Sequence, residues 1–272
     1  MPAPNAASPS GPRAPHGPRA PHVPGTPDVP GAPDAPDAPG APGGRGPRTG
    51  RTAPAAAPFA GLLLVHAALR RDLLRLPAVL RALGPDDGAR ADAALRHWRL
   101  LTGILECYHT YQDTRLWPAL RTRAPELRLL VNWLEADHHA LEQGAAATTA
   151  AVLDAVLTGR GTWSAAQAVE VFAAGLRNHL RIEEVQVLPA MRGALAGDPA
   201  AGGLPEVLHR VRGAGGPGTA DVLAWLLDGV PRAAADRLLE QCDDDAVRRW
   251  PHWRDTYARV TGPLWEGLPQ LP

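Results

Sequence analysis

From Phe59 onward the apolar positions of the chain recur every three or four residues, the period of a helix that buries one face. Four long stretches keep that period. The first covers roughly 59–83 and carries Leu62, Leu69, Leu73, Leu76 and Leu80 on one stripe, with Pro77 as a site for a kink. The second covers 87–117, with Asp86 or Asp87 as N-cap and Pro118 as its end, and its stripe holds Trp98, Leu101, Leu105 and Leu116. The third covers 125–157, with Pro125 in its first turn, Gly159 past its end, and Leu127, Leu130, Leu134 and Leu141 on its stripe. The fourth covers 164–194, opened by a Ser164–Gln167 capping box, with Val169, Phe172, Leu176 and Val187 facing inward. No stretch alternates as a strand. The connections are short, so neighbouring helices run antiparallel, and the pattern predicts an all-α, up-down four-helix bundle over 59–195.

The flanks read differently. Residues 1–58 are mostly Pro, Ala and Gly, with the hexad Gly-Pro-Arg-Ala-Pro-His at 11–16 and again at 17–22. Asp28, Asp34 and Asp37 interrupt the glycine spacing that a collagen helix needs. The expectation is a disordered tail of polyproline character, with His16 and His22 as solvated tail residues. Gly and Pro at 202–218 mark a second boundary. Beyond it, 203–272 reads as a short helical extension with helices near 219–229, 231–241 and 244–260. Trp225, Trp250, Trp253 and Trp265 give it apolar surface, to be packed on the bundle or on a protein partner.

Charge and cysteine usage narrow the setting. Lys+Arg and Asp+Glu are 28 each, which argues against nucleic acid or an anionic membrane as the main partner. The apolar run near Leu62–Val65 is far too short to span a bilayer, and the N-terminus lacks the layout of a signal peptide. The two cysteines, Cys107 and Cys242, cannot build a disulfide framework or a cysteine zinc site. They read as structural thiols in a reducing compartment, so a cytoplasmic protein is expected.

The chemistry lies in the polar residues that interrupt the apolar stripes. His66 stands on the first, His109 and Gln112 on the second, His138 on the third, His179 and Glu183 on the fourth. Asp113 follows His109 by four residues and Glu183 follows His179 by four, so each pair shares a helix face. In an up-down bundle the four histidines fall at one level, give or take a turn. Leaving such groups unpaired in an apolar interior costs on the order of 1–3 kcal/mol each, and more for charges. A bound metal removes most of that cost, because neutral imidazole and carboxylate are its natural ligands. A metal-free hydrogen-bond network is the alternative.

These segments resemble the hemerythrin-like, or HHE cation-binding, family. The residues that carry the likeness are Val65–Arg70, Tyr108–Pro118 (His109, Asp113 and Pro118 among them), Glu135–Leu141 around His138, and His179–Glu184 followed by Leu188 and Pro189. The resemblance implies His66, His109, Asp113, His138, His179 and Glu183 as metal ligands. It implies iron, two ions per chain, and an open position for a small diatomic ligand such as oxygen or nitric oxide. Three departures stand beside it: Glu142 four residues after His138, where a further histidine would stand, and Tyr108 and Gln112 in place of histidine and glutamate. Glu106, Glu135 and Glu142 are either replacement ligands or solvated neighbours. His139 lies one residue off the stripe, His97 reads as structural, and His209 and His252 have no acid at helical spacing.

The leading functional expectation is a non-haem metal-binding module that stores iron or senses oxygen, nitric oxide or redox state. The alternatives are a di-iron enzyme acting on peroxide or nitric oxide and a metal-free helical interaction protein. A ferritin-like arrangement is disfavoured because the first helix has no Glu.

Overall fold

The computed structural model describes residues 59–196 and 218–268. The chain divides into two units, Met1–Thr49 and Gly50–Pro272, and the first lies wholly outside the described residues. The tail expected over 1–58, with His16 and His22, and the segment holding His209 also lie outside them.

Helix α1 spans Ala60–Ala82 and α2 spans Gly88–Tyr111. A π-helical turn, Gln112–Leu116, joins α2 to α3, Trp117–Arg123. A 3-10 turn, Pro125–Leu127, leads into α4, Arg128–Thr158. Helix α5 spans Thr162–Ile182, and a second π turn, Glu183–Val187, joins it to α6, Leu188–Ala194. The long helices close a ring in chain order: α1 packs on α2 and α5, and α4 packs on α2 and α5. The result is the up-down four-helix bundle that the apolar stripes predict. Leu69, Leu76, Leu80, Trp98, Leu101, Leu134, Val169 and Leu176 are all buried within it. Leu127 and Leu130 of the third stripe are only partly buried, and Val131 takes the interior position beside them.

Several local expectations change. Pro118 does not end the second helix. A proline has no N–H to give and its ring presses on the carbonyl four residues back. The preceding turn widens instead, and the N–H of Trp117 bonds Gln112 O, five residues away. Pro118 then sits in the first turn of α3, where its missing N–H is harmless. Pro189 repeats the device, with the N–H of Leu188 on Glu183 O. The Ser164–Gln167 capping box does not form, because the chain reverses earlier. Gly159 and Gly161 adopt φ of 63° and 67°, a left-handed conformation cheap only for glycine, and α5 has begun by Thr162. Asp87 stands at the N-cap of α2 without capping it, and its Oδ2 accepts from the Gly84 N–H instead, at 2.8 Å.

The extension forms α7 (Thr219–Leu227), α8 (Arg232–Leu239) and α9 (Asp244–Trp265), the last capped by Asp243, whose side chain accepts from the Ala246 N–H. Helix α7 packs on α1, and α9 packs on α2 and α7. Of the two packing modes open to its tryptophans, Trp225 takes the bundle: it is fully buried and its indole N–H donates to Asp72 Oδ2 of α1 at 2.8 Å. Among the described residues no helix is long and apolar enough to cross a membrane.

Candidate metal centre

The four bundle helices each contribute a buried imidazole: His66 from α1, His109 from α2, His138 from α4 and His179 from α5. Three of them converge. One donor nitrogen from each of His109, His138 and His179 lies within 4.8 Å of the others. The rings of His109 and His138 stack at 3.9 Å between centroids, and His138 and His179 are 4.9 Å apart. The Nε2 atoms of all three are buried and have no hydrogen-bond partner.

The outer faces of two of these rings are fixed. His138 Nδ1 is 2.7 Å from Asp113 Oδ1, and His179 Nδ1 is 2.8 Å from Asp137 Oδ2. A carboxylate on Nδ1 holds the proton there and turns the Nε2 lone pair inward, the arrangement that orients a metal-ligating histidine. Three such lone pairs left unpaired in an apolar interior are costly, and a cation among them removes the cost. The residues therefore fit a metal ion.

Glu183 is the buried acid beside the three imidazoles. Its Oε1 lies 3.3 Å from His179 Nε2 and its Oε2 lies 3.1 Å from His66 Nε2. Burial would raise its pKa, but His179 and His66 outweigh that and hold the carboxyl well below the usual range. Burial likewise opposes a charge on His179, and Glu183 and Asp137 more than offset it, so that its pKa is raised to about 9. In the metal-free protein a proton thus takes the place of a cation on this ring. His109 behaves oppositely: burial first, then the neighbouring His138 and His179, push its pKa well down and keep the ring neutral.

His66 faces other partners. Its Nδ1 is 2.8 Å from Glu184 Oε1, and its Nε2 is 2.7 Å from the Tyr108 hydroxyl. Arg70 donates to both oxygens of Glu184 and anchors it. The Tyr108 hydroxyl donates to Glu183 Oε2 at 3.0 Å, and the Gln112 amide donates to the Tyr108 oxygen at 2.9 Å and to Glu183 Oε1. Burial, then Glu183, raises the Tyr108 pKa well above its ordinary value, so the phenol keeps its proton.

Of the six residues singled out in the sequence, the structure brings His109, His138 and His179 to one place, with Glu183 beside His179. His66 joins through Glu183 and Tyr108, with both ring nitrogens engaged. Asp113 does not face the others: its half-exposed carboxylate stands behind His138. The position on α2 that faces Glu183 belongs to Gln112, one residue earlier. Of the alternative carboxylates, Glu135 pairs with Arg121, while Glu106 and Glu142 are exposed. His97 is structural, with Nε2 2.9 Å from Asp72 Oδ2. Sequence reasoning missed Asp137 and Glu184, and noted Tyr108 only as a departure from the family pattern. Each is the immediate neighbour of a stripe residue, and that adjacency was the available signal.

No curated protein and no solved structure matches the chain. A family model does: that of the hemerythrin HHE cation-binding domain matches residues 58–191, the span of the bundle up to Met191 in α6. The bundle at residues 58–191 is a hemerythrin HHE cation-binding domain.

Proposed function

We propose that the protein binds iron through His109, His138, His179 and Glu183, as a module that stores iron or binds and senses oxygen, nitric oxide or redox state. The observation that carries this reading is the set of three buried, unpartnered imidazole nitrogens within 4.8 Å of one another. Imidazole and carboxylate donors accept iron and zinc alike, and the choice of iron rests on the resemblance to the hemerythrin-like family. An iron ion held there supplies a redox-active coordination position for a small diatomic ligand. The chain's own residues would hold the ligands in place: Asp113 and Asp137 hold the rings of His138 and His179, and Tyr108 and His66 hold Glu183.

The test is metal analysis with a visible spectrum, on protein purified in air without chelator. Bound iron, with a spectrum that changes on adding azide or nitric oxide, supports the reading. His179→Ala should abolish the bound metal and its thermal stabilisation. Protein that carries no metal, and takes up no ferrous iron anaerobically, would leave a metal-free interaction protein. Turnover of peroxide or nitric oxide above that of free iron would make it an enzyme.

A further inference from the structure

The bundle repeats itself. Gln112 and Glu183 each open a π turn and each stand six residues before a proline, Pro118 and Pro189. Four residues before them come Tyr108 and His179, and one residue after them Asp113 and Glu184. The two late acids play the same part, each reaching the Nδ1 of a histidine on a neighbouring helix: Asp113 to His138 of α4, Glu184 to His66 of α1. By this internal repeat, His138, His179 and Glu183 make one half of the centre, and His66, Tyr108 and Gln112 make the other.

The halves differ in what their inner atoms do. In the first, the Nε2 atoms of His138 and His179 have no partner, and His109 of α2 adds a third such nitrogen. In the second, every side chain is joined to another, and Gln112 Oε1 is left as its unpartnered acceptor. His66 Nε2 meets the Tyr108 hydroxyl, that hydroxyl donates to Glu183, and the Gln112 amide donates to both. The two residues that break the repeat are neutral, a phenol and a carboxamide, where the first half has an imidazole and a carboxylate. A second cation there would have to displace these hydrogen bonds. It would find one imidazole and an edge of a carboxylate that the first ion already uses, a poor set for a divalent ion.

We infer that the centre holds a single metal ion, on His109, His138, His179 and Glu183, and that Tyr108 and Gln112 close the place where the repeat would put a second. The inference rests on the metal-binding reading above, and it revises the two ions per chain that the resemblance implied. Tyr108 and His66 become positioning residues, which hold Glu183 by Oε2 and leave Oε1 at 3.3 Å from His179 Nε2.

The closing experiment is iron stoichiometry by elemental analysis after anaerobic ferrous loading, on the full chain and on the double variant Tyr108→His, Gln112→Glu. The wild type should hold about one ion per chain. The variant restores imidazole and carboxylate to the second half and should hold about two. After the loaded protein is oxidised in air, EPR gives a readout on the wild type that does not depend on the variant folding: an isolated ferric ion gives a half-integer-spin signal, whereas a coupled ferric pair is silent. Two ions per wild-type chain with a silent spectrum would overturn the inference and leave the proposed metal-binding function standing. No ion in either protein would sink that function itself. A double variant that folds but stays at one ion would show that Tyr108 and Gln112 are not what closes the second place.

Discussion

Asp72→Ala tests what holds the C-terminal helices to the bundle. The Asp72 side chain is fully buried on α1 and accepts four hydrogen bonds: from Arg71 Nε and Nη2 at 2.7 and 2.9 Å, from His97 Nε2 at 2.9 Å and from Trp225 Nε1 at 2.8 Å. Arg71 also donates to the carbonyls of Trp225 and Asp228, so that α1 grips the end of α7 through one guanidinium. Removing one partner of a buried ion pair typically costs 3–5 kcal/mol, because the other charge stays behind unpaired. Arg71 keeps some contact with water, its side chain being 17% exposed, which puts the expectation near the lower end, about 3 kcal/mol. Against a total stability of roughly 5–15 kcal/mol that is a large fraction. Urea unfolding of metal-free protein, followed by tryptophan fluorescence, should show the midpoint falling by on the order of 1–2 M. Asp72→Asn keeps the shape and one acceptor, and should lose roughly half as much. A loss under about 1 kcal/mol in the alanine variant would refute the argument, since it would leave the Arg71–His97–Trp225 cluster without an energetic role.

The same carboxylate predicts a pH dependence. Burial would raise its pKa, but hydrogen bonds from Arg71 and His97 outweigh that and hold it below the ordinary value. A depressed folded pKa contributes stability that is present above the unfolded value, near pH 4, and is lost as pH falls through the folded one. The stability gap between wild type and Asp72→Ala should therefore be steady above about pH 4 and shrink below it; a gap that stays constant on acidification would remove the charge from the explanation. Asp137→Asn probes the ring of His179 without touching a proposed ligand. Losing the carboxylate behind a ligating histidine should weaken metal binding by roughly 10–100-fold, read by competition with a chelator of known affinity, and an unchanged affinity would dismiss Asp137 as an orienting group.

The fold was largely legible because the apolar period of each helix holds on both sides of the polar residues that interrupt it. Leu62, Leu69, Leu73, Leu76 and Leu80 already describe a buried face, and they are buried. Local end signals carried less. Ser164 with Gln167 is a sound capping pair, yet two left-handed glycines turn the chain before it can act. Where the extension packs was not legible either. Asp72 decides that, and a lone acid beside Arg71 on α1 reads as an ordinary exposed pair until Trp225 and His97 arrive from distant segments.

The site was legible in its types and misaligned on one helix. His109 with Asp113 has the same four-residue spacing as His179 with Glu183, and helical period alone makes the two pairs equivalent. The pairs sit differently against the π turns: Glu183 opens its turn, whereas Asp113 is the second residue of its own, after Gln112. Counting back from the prolines restores the register: Pro118 and Pro189 select Gln112 and Glu183, and with them Tyr108 and His179. On that register the hydrogen-bonded half and the open half are two outcomes of one repeated segment. The phenol and the amide N–H groups bond each other and Glu183, so the donors of their half are taken up and Gln112 Oε1 alone of these atoms is left over. Neutral imidazoles pinned at Nδ1 by acids turn acceptors inward, and acceptors facing acceptors call for a cation, or for the proton that His179 takes in its place.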